Sequence, residues 1–188
     1  MTETLRDRLR GLPALNGTPP HGADPLAVHA DPTAHFLNWF DQAVAAAVPE
    51  PQVMTLSTVD AEGIPDSRPL ILRDLDERGW AFASSASQRK GHQLAQRPAA
   101  ALSFWWQPIM RCVRVRGVVE QASAQESAAD LARRSPQAQA GEEARGWTLY
   151  RLLPQRVEFW QGSPDRRHTR VIYTGSAGSW RVETSAGS

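Results

Sequence analysis

The feature that most constrains the fold is a succession of short β-prone runs, each closed by a turn sequence, from Val53 to Glu183. Such runs at regular spacing, with few helical segments between them, are typical of a small antiparallel barrel. The sequence therefore predicts a mainly β fold, a β-barrel with flanking helices. The predicted strands are 53–59, 64–73, 80–84, 99–106, 110–121, 150–153, 157–162, 171–173 and 180–183, with Pro154 separating the sixth from the seventh.

Three helices are predicted from capping signals and proline stops. Asp31-Pro32 is an N-cap followed by proline at the first helical position, and Pro49 ends that helix. A second helix is expected over residues 87–97. The capping box that begins at Ser123 starts a third, which runs to about residue 134. Residues 135–146 are expected to form a loop.

The length of 188 residues fits one domain. Residues 1–30, rich in Pro, Gly, His and Asp, are expected to be a flexible arm, and residues 31–188 the folded domain.

Charge and cysteine content narrow the functional class. A net charge of +1 provides no global field toward nucleic acid or a membrane, and neither partner is expected. The chain has no apolar run long enough to span a bilayer and no secretory signal pattern, so a cytoplasmic protein is expected. The single cysteine, Cys112, excludes an internal disulfide and a multi-cysteine metal site, and no metal is expected.

Arg89 and Lys90 stand where a predicted strand passes into a helix, after the hydroxyls of Ser84 and Ser85. Helix N-termini stabilise phosphate, and two cations would add charge-assisted bonds. A solvated surface is the more common role of such a pair. Lys90 is also the only lysine in the chain, and codon bias is the simpler explanation for the predominance of arginine. Any phosphate site must then be built mostly from arginine.

A second candidate cluster is the aromatic segment Glu158–Gly162, which is followed by Arg166, Arg167, His168 and Arg170. Such a segment could bind a flat anionic ligand. A core tryptophan beside a basic surface turn explains the pattern equally well. A third cluster, Ser67–Arg73, places two arginines on one predicted strand.

Together and in this order, these clusters resemble the pyridoxamine 5′-phosphate oxidases. The most specific signal is Glu-Phe-Trp-Gln-Gly followed by Arg-x-His, and the similarity covers roughly Asp31 to Glu183. The matching stretches are Asp31-Pro32 to Phe40, Glu50-Pro51, Leu56–Asp60, Ser67-Arg68, Asp76–Gly79, Arg89–Gly91, Glu158–Gly162 and Arg166–His168.

The resemblance implies an antiparallel, FMN-binding split β-barrel that works as a homodimer, with FMN at the subunit interface. It implies cofactor contacts from Arg68, Pro69, Leu70, Ile71, Leu72, Arg73, Ala83, Ser84, Arg89, Lys90, Trp160 and Arg170. It assigns catalysis to His168 and Arg166. Both would also bind the substrate, together with Arg73 and Arg134.

The departures from the family pattern concern the substrate. Arg73 replaces a lysine, Ala83 a tyrosine and Cys112 a glutamine. At the family's substrate-phosphate site Arg134 is kept, but Asp130 replaces a tyrosine and Ala138 a serine. Asp130 would repel a phosphate dianion. A long segment with a Gln-Ser pair is almost absent.

Three functions stay open. The first is oxidation of pyridoxine or pyridoxamine 5′-phosphate to pyridoxal 5′-phosphate, with hydride transfer to the flavin and reoxidation by O₂. The second is oxidation of a different small molecule in specialised metabolism on the same FMN scaffold, which the altered phosphate site favours. The third is flavin binding without turnover.

Overall fold

The computed structural model describes residues 3–141 and 146–187 of the chain, so residues 142–145 of the predicted loop lie outside it. The helices are α1 (Leu5–Arg10), α2 (Pro32–Ala45), α3 (Arg89–Gln96), α4 (Ala124–Ala132) and α5 (Pro136–Ala140), with a 3₁₀ turn at Gln107–Ile109. The strands are β1 (Val53–Val59), β2 (Pro65–Ile71), β3 (Asp74–Asp76), β4 (Gly79–Ser85), β5 (Ala99–Trp106), β6 (Arg111–Gln121), β7 (Trp147–Gln161), β8 (Thr169–Ser176) and β9 (Ser179–Ala186).

The described strands form one antiparallel sheet that closes on itself, which confirms the predicted mainly β barrel. The strand order is β2-β1-β5-β6-β7-β4-β3, with β8 and β9 added beside β7. β3 follows β2 after only Leu72 and Arg73, so the two ends of this path are consecutive in the chain. The short connection joins the first strand of the path to the last and closes the barrel.

The prediction that Pro154 divides two strands is wrong, because β7 runs unbroken through it. The register between β6 and β7 shifts between Arg116 and Gly117, and Gly117 lies opposite Pro154. This irregularity accommodates a residue that has no N–H to donate. A Cβ on Gly117 would lie 1.9 Å from the carbonyl oxygen of Leu153, so the close approach requires glycine.

Two smaller elements differ from the sequence prediction. The short strand β3, between the predicted strands 64–73 and 80–84, pairs with β4 through three residues. Helix α5 occupies part of the predicted 135–146 loop; its N-cap Ser135 accepts a hydrogen bond from the Ala138 N–H, and Pro136 stands at the first helical position. Both are too short to leave a periodic hydrophobic pattern in the sequence.

Helix α2 covers the barrel as its cap and spacing predict. The Asp31 side chain accepts from the Ala34 N–H, and Phe36 and Trp39 are buried against the core. His35 is buried on the same face. Its ring lies parallel to that of Phe159 in β7, with centroids 3.7 Å apart, and its Nδ1 is 3.1 Å from the Tyr173 hydroxyl. This aromatic contact fixes the helix over β7 and β8.

Residues preceding α2 contact the barrel at two places. The Thr18 N–H donates to the Pro108 carbonyl at 2.8 Å, and the His29 N–H donates to the Tyr173 hydroxyl at 3.0 Å. Helix α1 has no buried residue. The flexible arm at residues 1–30 stays a prediction. None of the described helices has the length and apolar character needed to cross a membrane.

Candidate active site

A first cleft lies beside the junction of β2 and β3. Its volume is about 380 Å³. The lining residues come from β2, β4, the start of β7 and the segment after α4: Glu50, Val53, Pro69, Leu70, Ile71, Arg73, Ala83, Arg134 and Trp147. Five of the predicted cofactor residues and two of the predicted substrate residues, Arg73 and Arg134, therefore share one cavity. We call it the first cleft.

The charges of the first cleft are organised around Asp130 of α4. Arg73 Nε lies 3.0 Å from Asp130 Oδ1, and Trp147 Nε1 donates to Asp130 Oδ2 at 2.9 Å. The Arg134 guanidinium lies over the Trp147 ring, 4.4 Å from its centroid. Asp130 thus binds a cation of this chain, and the predicted partner of a phosphate, Arg73, is already paired.

Arg68, Ser84, Arg89 and Lys90 do not line the first cleft and lie toward α3. Arg68 Nη1 donates to Thr58 Oγ1 at 2.6 Å, and its Nη2 lies 2.7 Å from Asp66 Oδ2. Arg89, 82% exposed, reaches the same carboxylate at 3.7 Å. The Gln88 side-chain oxygen accepts from both Ser84 and Lys90.

The start of α3 has the chemistry of an anion site. Its N-cap residue, Gln88, makes no side-chain cap hydrogen bond, so its side chain does not occupy the first-turn N–H groups. A Cβ on Gly91 would lie 2.4 Å from the Ala86 carbonyl oxygen, so this glycine lets the helix pack close to the Ser84–Ala86 turn. Arg89 and Lys90 place two positive charges on that first turn, a donor set that fits a phosphate group.

A second cleft, also about 380 Å³, lies across β5, β6, β7 and β8. Its lining residues are Trp105, Cys112, Arg114, Trp160, His168 and Arg170. The rings of Trp105 and Trp160 lie 6.0 Å apart, and the His168 ring lies 4.9 Å from that of Trp160. Burial raises the pKa of the Cys112 thiol, which keeps it protonated and fits a packing role.

Glu158 is the charged group on which the second cleft is built. This carboxylate is 2% exposed in β7 and contacts three arginines, from β6, β7 and β8. Arg114 lies against one oxygen, Arg156 lies 2.8 Å from the other, and Arg170 Nε lies 3.5 Å from the first. Two of these arginines, Arg114 and Arg170, also line the cleft. Their contacts with Glu158 hold their positive charges at the cleft wall.

The turn between β7 and β8 orients His168. The Ser163 N–H donates to His168 Nδ1 at 3.1 Å, so a neutral ring carries its proton on Nε2. Arg166 has a φ of 65°, in the left-handed region, and lies outside the lining of the second cleft. The predicted catalytic pair thus shares one turn, but only His168 faces this cavity.

Most of the predicted site residues therefore line one of two clefts that have no lining residue in common, and a further group lies at the start of α3. Sequence reasoning did not single out Trp147, Trp105 and Arg114 as site residues, nor the pairing of Arg73 with Asp130. One of these carried a signal. Arg114 alternates with buried valines in β6, and the strand register places it opposite Glu158.

Comparison with known proteins decides the family. Residues 40–171 match the family described as pyridoxamine 5′-phosphate oxidase. This chain belongs to that family. FMN is the family's cofactor, and the barrel described above is the family's split β-barrel.

The relatives and solved structures agree with this assignment. The pyridoxine/pyridoxamine 5′-phosphate oxidase of Bordetella petrii is 41% identical, over 82% of this chain and 88% of that one; the protein of the same name from Nostoc punctiforme is 36% identical, over 86% and 91%. The structure of PhzG from Burkholderia lata, in complex with tetrahydrophenazine-1-carboxylic acid, has a TM-score of 0.77 at 23% identity, covering 84% of this chain and 93% of that one. A pyridoxamine 5′-phosphate oxidase-related FMN-binding protein from Nostoc punctiforme has a TM-score of 0.64 at 18% identity, covering 82% and 97%.

Proposed function

We propose that the protein is an FMN-dependent oxidase that works as a homodimer, each active site combining the first cleft of one protomer with the second cleft of its partner. The observation that carries this proposal is that Arg73 and Ala83 line one cleft, whereas Trp160 and Arg170, which are also predicted flavin contacts, line another that shares no residue with it. A twofold axis that places the first cleft of one protomer against the second cleft of its partner also places the second cleft of that protomer against the first cleft of the partner. The dimer therefore contains two identical composite sites. Neither cleft of a single protomer contains the whole set of predicted contacts.

Within such a site, FMN would supply hydride acceptance and reoxidation by O₂, and the chain's residues would bind and orient. Arg89, Lys90 and the α3 N-terminus suit the FMN phosphate. Trp160 offers an aromatic face and Arg170 a cation held by Glu158. His168, held through Nδ1, would present Nε2 to the substrate and orient it.

Two substrate classes are supported by different observations. The 41% identical relative named pyridoxine/pyridoxamine 5′-phosphate oxidase, together with Arg134 and the Arg166–His168 turn, supports a phosphorylated pyridoxine or pyridoxamine. The pairing of Arg73 with Asp130 supports a different small molecule in specialised metabolism, because Asp130 already neutralises the charge of that arginine. A cytoplasmic location stays a prediction.

Anaerobic reduction of the bound flavin tests the oxidase function. The purified protein is loaded with FMN and mixed, without oxygen, with pyridoxine 5′-phosphate, pyridoxamine 5′-phosphate and a panel of amines. We expect a yellow protein whose flavin absorbance bleaches with at least one compound. A colourless protein that takes up no added FMN would contradict the proposal and indicate a relative of the family that does not use flavin. Bound FMN that no compound reduces would favour flavin binding without turnover.

Complementation between two variants tests the shared site. Arg89→Ala/Lys90→Ala and His168→Ala protomers are denatured, mixed in equal amounts and refolded, with each variant treated alone as the control. In a heterodimer one composite site receives both defects and the other receives none, so random pairing restores about one quarter of the sites. A mixture no more active than the two separate variants would mean that each protomer contains a whole site.

A further inference from the structure

We propose that the first cleft accepts a flat substrate bearing a single carboxylate and discriminates against a phosphate dianion. This inference rests on the proposed oxidase function and names the substrate class of the same site. The pairing of Arg73 with Asp130, on an apolar wall that also holds Arg134, carries it.

Asp130 neutralises one of the two cations that line the first cleft. Its side chain is 11% exposed and its two oxygens are divided between Arg73 Nε and Trp147 Nε1, at 3.0 and 2.9 Å. A carboxylate held by two donors in a mostly buried position is fixed in place. A dianion approaching Arg73 would therefore meet a fixed negative charge directly behind the guanidinium.

Arg134 is the cation left for a ligand. Its guanidinium lies over the Trp147 ring, and among residues 3–141 and 146–187 no carboxylate lies within 4.0 Å of it in an ion pair. A guanidinium stacked on an aromatic face keeps its edge donors directed outward. That edge matches the two oxygens of one carboxylate in a bidentate pair.

The charge balance of the first cleft limits the ligand to about one negative charge. Glu50 and Asp130 contribute two negative charges and Arg73 and Arg134 two positive ones, so the formal sum is zero. A monoanion on Arg134 adds one uncompensated charge, whereas a phosphate dianion adds two in a partly desolvated space. Within the first cleft the second charge meets only Arg73, whose charge Asp130 already neutralises.

The walls of the first cleft favour a flat, partly apolar body. The aliphatic residues Val53, Leu70 and Ile71 and the aromatic Trp147 line the cleft together with Arg134. Such walls bury the face of a ring, while the guanidinium fixes its acidic edge.

Calorimetric titration with two ligands that differ only in their acidic group tests the inference. Benzoate and phenyl phosphate are titrated into the FMN-loaded protein at pH 8, where an aromatic phosphate is a dianion. We expect wild type to bind benzoate roughly tenfold more tightly. Asp130→Asn keeps an oxygen for Trp147 but removes the charge, and should shift the ratio of the two dissociation constants roughly tenfold toward phenyl phosphate.

Matched variants separate charge from folding. Asp41→Asn makes the same chemical change at an exposed position of α2 and should leave the ratio unchanged. Arg134→Gln should lose benzoate affinity while retaining FMN. Tighter binding of phenyl phosphate by wild type, an unchanged ratio in Asp130→Asn, or no binding of either ligand would overturn the inference. FMN absorbance, recorded before each titration, reports on the oxidase proposal separately. The ratio of the two dissociation constants is measured whether or not flavin is retained.

Discussion

In the first cleft one arginine is paired with one carboxylate from a surface helix, whereas in the second cleft three arginines surround a single carboxylate inside the sheet. Asp130 belongs to α4, and its partner Arg73 lies in the two-residue connection between β2 and β3. Glu158 belongs to the longest strand and is 2% exposed. The first arrangement depends on one short helix, and the second is part of the barrel itself.

This difference separates what the family keeps from what this chain has changed. The second cleft carries the Glu-Phe-Trp-Gln-Gly segment and the Arg-x-His turn that the resemblance rests on. Three of the departures, at Arg73, Ala83 and Asp130, belong to the first cleft, and one, at Cys112, lines the second. Charges outside the strands can change without exposing the core, so we expect substrate preference to be set in the first cleft and stability in the second.

The largest expected effect is the loss of stability on removing Glu158. Glu158→Ala leaves three guanidiniums close together around an empty position, and we expect the free energy of unfolding to fall by about 3 kcal/mol. Asp130→Ala removes one ion pair and one hydrogen bond at the protein's edge, and should cost about 1 kcal/mol. Urea denaturation of both variants measures the difference. Equal losses would remove the contrast between the two clefts.

The next effect is on turnover in the second cleft. His168→Ala removes the group held by the Ser163 N–H, and we expect turnover to fall roughly 100-fold through lost positioning, with FMN content nearly unchanged. Flavin absorbance and rate are measured on the same sample. If loss of flavin accounts for the whole loss of rate, then His168 serves the cofactor and not the substrate.

Acid should lower the free energy of unfolding through His35, which stacks on Phe159 of β7. Burial, followed by the charges of His29 and Arg111, lowers the pKa of His35 from 6.5 to about 3. The unfolded chain therefore binds this proton at a higher pH than the native one. The stabilisation is fully present above pH 6.5 and is lost as the pH falls toward 3, by about 1.4 kcal/mol per pH unit.

Comparison of two histidine variants isolates this contribution from that of the carboxylates. His35→Phe can keep the stacking on Phe159 but cannot bind a proton, so its unfolding free energy should depend less steeply on pH between 6 and 4 than that of wild type. His92→Gln, at an exposed position of α3, should retain the wild-type slope. Identical slopes in His35→Phe and wild type would show that His35 titrates normally in the folded protein.

Much of the fold could be predicted because its signals are local. The Asp31 cap, the alternation from Arg111 to Gln121 and the capping box at Ser123 each specify an element from a few neighbouring residues, and the structure contains all three. Pro154 misled the strand prediction because its missing N–H is accommodated by Gly117, a residue 37 positions away. That compensation is tertiary and leaves no local pattern.

The candidate site was harder to predict for the same reason. Arg73 and Asp130 are 57 residues apart, and nothing near either one indicates the other as its partner. The sequence therefore assigned Arg73 to a phosphate and gave Asp130 only a repulsive role. By contrast, Arg89 and Lys90 could be predicted as an anion site from adjacent residues, because a helix start with two cations is visible in a single stretch of sequence.

The smallest expected effect concerns the start of α3. Its measurement would sharpen the contrast between the two clefts by showing whether the FMN phosphate is bound on the side of the first one. Arg89→Ala and Lys90→Ala each remove one charge-assisted contact and should weaken FMN binding roughly tenfold. Arg97→Ala is the matched control, because Arg97 follows the opposite end of α3 and donates to the Ala61 carbonyl at 2.9 Å. Quenching of FMN fluorescence measures all three. Equal FMN affinity in the three variants would mean that general positive charge, and not the start of α3, attracts the flavin. A loss in Lys90→Ala alone would restrict the phosphate contact to the residue that shares Gln88 with Ser84.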